Sequence, residues 1–112
     1  MAPVIMDNAE QPALAEELSN SFCRTDPTIA KHFARVTFLT DNRADLAKCQ
    51  TPSLILQCSQ DVIAPCSVGH YLQRHLPASR LTLLNAVGHC PHLSAPAETI
   101  AAIQAFLAET RV

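Results

Sequence analysis

The sequence predicts an α/β fold with parallel strands, preceded by a pair of helices, and three observations lead there. Apolar residues in the first part of the chain recur at helical steps. Two short apolar runs, Leu54-Ile55-Leu56-Gln57-Cys58 and Leu81-Thr82-Leu83-Leu84, read as strands. A helical pattern follows each run, and such alternation implies parallel strands joined by helical crossovers.

The elements follow in order. Pro12 suits a first helical turn, and Leu14, Leu18 and Phe22 fall on one face at steps of four. Asp26-Pro27 is a second start signal, an N-cap followed by proline at the first helical position. Ile29, Phe33 and Val36 then repeat at helical spacing, as residues that pack a helix. The short Arg24-Thr25-Asp26 link suggests a helical hairpin, which alone leaves an apolar face uncovered. The chain changes character between Thr40 and Pro52, dividing into a helical segment, 1–47, and a β-α-β-α part, 48–112. The first apolar run suits a strand buried on both faces. A helix from Ser67 to Leu76 presents Val68, Leu72 and Leu76. The last helix opens near Pro96, and Ile100, Ile103, Phe106 and Leu107 form its buried stripe. Two strands make a marginal sheet with an unpaired edge, so the chain reads as incomplete.

With 112 residues there is room for one domain. A formal net charge of −2, no basic run and few aromatic residues argue against nucleic acid. No apolar stretch spans a membrane, and the opening Met1-Ala2-Pro3-Val4-Ile5-Met6 lacks the pattern of a signal peptide. Five cysteines at irregular spacings do not make a disulfide framework, so a reducing, cytoplasmic setting is expected.

In doubly wound sheets the chemistry sits on loops beyond the carboxyl ends of the strands. Two loops qualify here, Ser59-Gln60-Asp61-Val62-Ile63-Ala64-Pro65 and Asn85-Ala86-Val87-Gly88-His89-Cys90-Pro91-His92. They bring Asp61 and His89 to one rim. A carboxylate beside an imidazole fixes its tautomer and steadies the imidazolium formed when histidine takes a proton from a nucleophile. Gly88 allows a sharp turn before the histidine. His89, Cys90 and His92, with Cys58 or Cys66, are residue types that zinc uses, but paired ligands at repeated spacing are missing. No metal and no cofactor are assigned. His32, His70 and His75 read as ordinary helix residues, and the thiols as packing residues.

The stretch Thr51-Pro-Ser-Leu-Ile-Leu-Gln-Cys-Ser-Gln-Asp-Val-Ile-Ala-Pro65, with Gly88-His-Cys-Pro-His-Leu-Ser-Ala-Pro96, resembles the RsbQ-type α/β-hydrolases of bacteria. That group is related to the plant strigolactone and karrikin receptors. The resemblance runs through nearly the whole chain and implies a C-terminal fragment of an α/β-hydrolase fold. Ser21-Phe-Cys-Arg-Thr-Asp-Pro27 and Phe38-Leu-Thr-Asp-Asn-Arg-Ala-Asp-Leu46 look like the last lid helices and their return to the core, with Met1 to Met6 ending an earlier lid helix. It implies Asp61 as triad acid, His89 as base and Phe38 as a residue lining a small apolar ligand pocket. The implied activity is serine hydrolysis of a small hydrophobic ester or lactone. In the RsbQ group this serves stress signalling through a partner phosphatase.

One departure is plain. A nucleophile elbow needs Gly-x-Ser-x-Gly or a close variant, and neither Gly69 nor Gly88 flanks a serine in that pattern. Hydrolysis by this chain alone is therefore not expected. Three readings follow: half of a truncated or split hydrolase that awaits a complementary half, a non-enzymatic protein-binding or regulatory module, or a homo-oligomer completed by pairing of exposed strands.

Overall fold

The computed structural model describes residues 1–110. Six helices and two strands follow the order α1 (Ala2–Met6), α2 (Pro12–Cys23), α3 (Pro27–Leu39), a 3-10 segment (Arg43–Lys48), β1 (Ser53–Gln60), α4 (Cys66–His75), β2 (Ser79–Val87), α5 (Pro91–Ser94) and α6 (Pro96–Thr110). Start signals in the sequence have visible counterparts. The Asp26 carboxylate accepts from the Thr28 and Ile29 amides at 2.8 and 3.1 Å, and proline opens both α2 and α3. These bonds satisfy amides that the helix itself leaves without partners.

β1 and β2 pair in parallel from Ser53 opposite Ser79 to Cys58 opposite Leu84, with α4 as the crossover. Beyond Cys58 the register slips, and Gln60 lies opposite Val87. This irregularity sits where both strands leave the sheet, and bulges at such rims re-aim the residues that follow. Gly69 brings α4 close to β1; a Cβ there would stand 2.9 Å from Gln57 Oε1. On the far side of the sheet the Glu98 carboxylate accepts from the Asn85 amide at 3.0 Å, so a side chain occupies part of the outer edge of β2.

The core is small. Cys58, Leu84 and Ala86 are buried, and Leu56, Ala95 and Ala102 pack against them. Met6 and Ala2 of α1 are buried separately. β1 is buried only at Gln57 and Cys58, not along both faces as its apolar run predicts, because a single strand flanks it. The expected stripe on α6 is likewise corrected. Ile100, Ile103 and Leu107 are exposed, while Thr99 is buried and Ala102 and Phe106 are half-buried. The sheet covers the side of α6 that carries Thr99, Ala102 and Phe106, and among the described residues nothing covers the other.

In the helical segment, α2 lies against α1, and α3 makes at most glancing contact with any element. Half-buried Ala30 and Ala34 mark the inner side of α3. Phe22, Ile29, Phe33 and Val36, expected as packing residues, are exposed; Phe33 shows 71% of its surface. Among the described residues nothing lies across them.

Candidate functional site

The ends of β1 and β2 release two loops side by side, and Asp61 and His89 meet there across 28 positions of sequence. The His89 imidazole Nδ1 lies 2.7 Å from Asp61 Oδ2. The other carboxylate oxygen accepts from the Ile63 and Ala64 amides at 2.8 and 3.0 Å, closing the acid loop on its own side chain. A carboxylate only accepts, so Nδ1 carries the hydrogen and donates it; in a neutral imidazole Nε2 is then the acceptor.

Exposure differs between the partners: the Asp61 side chain is 5% exposed and that of His89 is 43% exposed. Burial pushes the Asp61 carboxyl up, but the Ala64 amide, the His89 imidazole and the Ile63 amide outweigh it and hold it below its ordinary value. The Asp61 carboxyl therefore stays ionised beside a partly exposed imidazole.

Three supports escaped the reading of the sequence. Gln57, buried in β1, donates its amide to the carbonyls of Ala64 at 2.8 Å and Cys58 at 3.1 Å, so the strand holds the far end of the acid loop. The signal was available: a lone polar residue inside an apolar strand run must find a partner when buried. Ile5 and Met6 support the histidine loop. The His89 amide donates to the Ile5 carbonyl at 2.7 Å, and the Gly88 amide to Gln60 at 2.8 Å. Gly88 has φ 91°, and a Cβ there would lie 2.0 Å from the Met6 carbonyl oxygen, so conformation and space both demand glycine.

Two thiols near the pair, Cys58 and Cys90, are held in the protonated form. Burial pushes the Cys58 and Cys90 thiols up, and the negative charge of Asp61 adds to both shifts. An unactivated thiol is the poor form for attack. Among the described residues no group of three or more His, Cys, Asp or Glu side chains could hold a metal ion.

Phe38, expected at a ligand pocket, lies near the end of α3 with 80% of its surface exposed. It lines neither of two open cavities. One, about 660 Å³, lies between the 3-10 segment and α4, with Arg43, Leu46, Val68, Tyr71 and Leu72 among its walls. There the Arg43 side chain and amide hydrogen-bond Asp41 and bring its carboxyl down to about 2, so that arginine is already paired. The other, about 430 Å³, opens beside α1 and α2. Neither includes Asp61 or His89. No helix among the described residues is long and apolar enough to cross a membrane.

No protein-family model matches the chain. A strigolactone esterase of Arabidopsis thaliana is 35% identical over 91 residues, covering 80% of this chain and 34% of its own length. A karrikin insensitive receptor of Petunia hybrida is 30% identical over 88% of this chain and 36% of its own length. A pimeloyl-acyl-carrier-protein methyl ester esterase of Nitrosomonas europaea is 36% identical over 59% of this chain and 26% of its own length. Among solved structures, a hydrolase from Oleispira antarctica superposes with a TM-score of 0.84 at 41% identity, over 95% of this chain and 39% of that one. The chain spans about a third of the length of the curated relatives it matches. With an acid loop and a histidine loop on adjacent parallel strands, this chain is related to the α/β-hydrolases and has part of their fold.

Proposed function

We propose that this chain carries the acid and the base of a serine hydrolase for small hydrophobic esters or lactones, and that turnover requires a nucleophile from residues outside these 112. The hydrogen bond between His89 Nδ1 and Asp61 carries the reading. With a serine hydroxyl beside it, Nε2 would take the hydroxyl proton as the oxygen attacks the ester carbonyl. The imidazolium, steadied by Asp61, would return that proton to the departing alkoxide. A water molecule, deprotonated in the same way, would then release the acid and regenerate serine. Relatives named as esterases support the class, and the absence of Gly-x-Ser-x-Gly from the sequence supports the need for a complementary half. By this reading Phe38 borders the ligand only once that half is present, and the five thiols suit a reducing, cytoplasmic setting.

The test is complementation. The pure chain should not hydrolyse a short-chain nitrophenyl ester. Mixed with the nucleophile-bearing half of a related hydrolase, it should do so, and His89→Ala should abolish the gain. Turnover by the pure chain that His89→Ala removes would overturn the requirement for a second half. Turnover by the mixture that is indifferent to His89→Ala would overturn the assignment of the base.

The exposed apolar face of α3 favours a second reading, in which the segment 1–47 serves protein contact. An RsbQ-type signalling role would give it a phosphatase as partner. Binding of such a phosphatase, unchanged by His89→Ala and lost on Phe33→Ser, would support this reading. Binding unaffected by Phe33→Ser would remove it.

A further inference from the structure

We propose that Ile5 and Met6 are positioning residues for His89: the last turn of α1 clamps the histidine loop, so the imidazole meets Asp61 only while α1 is docked. This rests on reading His89 as the base.

α1 ends at Met6, and its described part is held by tertiary contacts. Its anchors are Met6, 1% exposed, and Ala2, together with its contact with α2. The last carbonyls of a helix have no partner inside it. Here the Ile5 carbonyl is used by the His89 amide at 2.7 Å, while the neighbouring Gly88 amide bonds Gln60 of β1 at 2.8 Å. Consecutive amides thus tie the loop in opposite directions, one to the sheet and one to α1. The Met6 carbonyl lies so close to Gly88 that no side chain fits between them. Asp7 ends the helix in the left-handed region at φ 40°, and its amide returns to Pro3.

The backbone immediately before the imidazole is therefore held on one side by the carboxyl end of α1 and on the other by β1. Withdrawal of α1 leaves the His89 amide without a protein acceptor and frees the loop to turn. Nothing comparable constrains Asp61, whose loop closes on itself and on Gln57. Lid-side motion would then act on the base and leave the acid in place.

Amide exchange and imidazole proton spectra of the full chain test this. In the unsubstituted protein, the His89 amide should open together with the Asp7 amide under mild denaturant, and separately from the strand amides around Leu84. Met6→Ala should speed exchange at His89 at least about tenfold relative to those strand amides, because truncating a buried side chain loosens its docking. The low-field Nδ1 proton signal of His89 should weaken with it, and Met6→Leu should restore both. An unchanged His89 amide and Nδ1 signal in a folded Met6→Ala chain would overturn the proposal. If that variant unfolds, the unsubstituted chain decides: independent opening of the His89 and Asp7 amides, or no strand protection, overturns it. None of these readouts needs turnover, so failure here is distinct from failure of His89 as the base, which the complementation assay reads.

Discussion

The Gln57 side-chain amide reaches from inside β1 to the carbonyl of Ala64, 2.8 Å away, and so ties the far end of the acid loop to the strand that launches it. Between those two residues lies Asp61, whose carboxylate bonds the Ile63 and Ala64 amides from within the same loop. The acid is held from both directions before the histidine arrives. Gln57→Leu keeps the bulk and removes both donated bonds, leaving the Ala64 carbonyl without that partner. Stability should fall by about 1–3 kcal/mol, read as a lower urea midpoint with an unchanged slope. The Ile63 and Ala64 amide resonances should shift as well. An unchanged midpoint would show that the loop stands without Gln57.

Asp61→Asn tests the tautomer. The amide oxygen can still accept from Ile63 and Ala64, but its NH₂ now faces His89 Nδ1. The imidazole should answer by carrying its hydrogen on Nε2, so the lone pair moves to the wrong nitrogen. Nitrogen-15 shifts of the ring should exchange places in the variant. In a complemented hydrolase, turnover should fall by about four orders of magnitude.

Acid should unfold the chain in a window set partly by Asp61. Its folded carboxyl titrates below its ordinary value of 3.8, so the unfolded chain binds the proton more readily. The stabilisation is fully present above the unfolded value and is lost as pH falls through the folded one. A urea midpoint followed from neutral pH downward should therefore drop across the acid range, and Asp61→Asn should flatten that drop. Equal pH dependence in both proteins would exclude this contribution.

The bare face of α3 should drive self-association. Ile29→Ser with Phe33→Ser replaces two exposed apolar side chains, and exposed substitutions of this kind change stability by about 0.5 kcal/mol or less. Sedimentation velocity should show less oligomer in the double variant at equal concentration. An unaltered distribution would place the association elsewhere.

Removing the cap on α3 is a local test. Asp26→Ala deletes two bonds to helix amides and should cost about 1 kcal/mol of helix stability. Because α3 packs so little, the loss should appear as reduced helical dichroism, with the β1–β2 amides unchanged.

Much of this was legible in the sequence because it was local. Asp26-Pro27 announces a helix start, Pro96 another, and the apolar runs at Leu54 and Leu81 mark the strand interiors to within a few residues. The approach of Asp61 to His89 follows from strand order alone, since parallel neighbours deliver their loops to the same rim. What could not be read depends on partners distant in sequence. No spacing rule brings Ile5 to His89. An apolar stripe such as Ile100, Ile103 and Leu107 says that a helix can be covered, and not that a partner for that face is present. Gln57 lies between these cases, because its place in an apolar run betrays an internal bond without naming the acceptor.

The bond from the Asn85 amide to Glu98 has a consequence for growth of the sheet. A strand laid along the outer edge of β2 would have to displace that carboxylate, whereas among the described residues no strand lies along the outer edge of β1. A neighbouring strand would therefore meet an obstruction at Asn85 of β2 that β1 does not present.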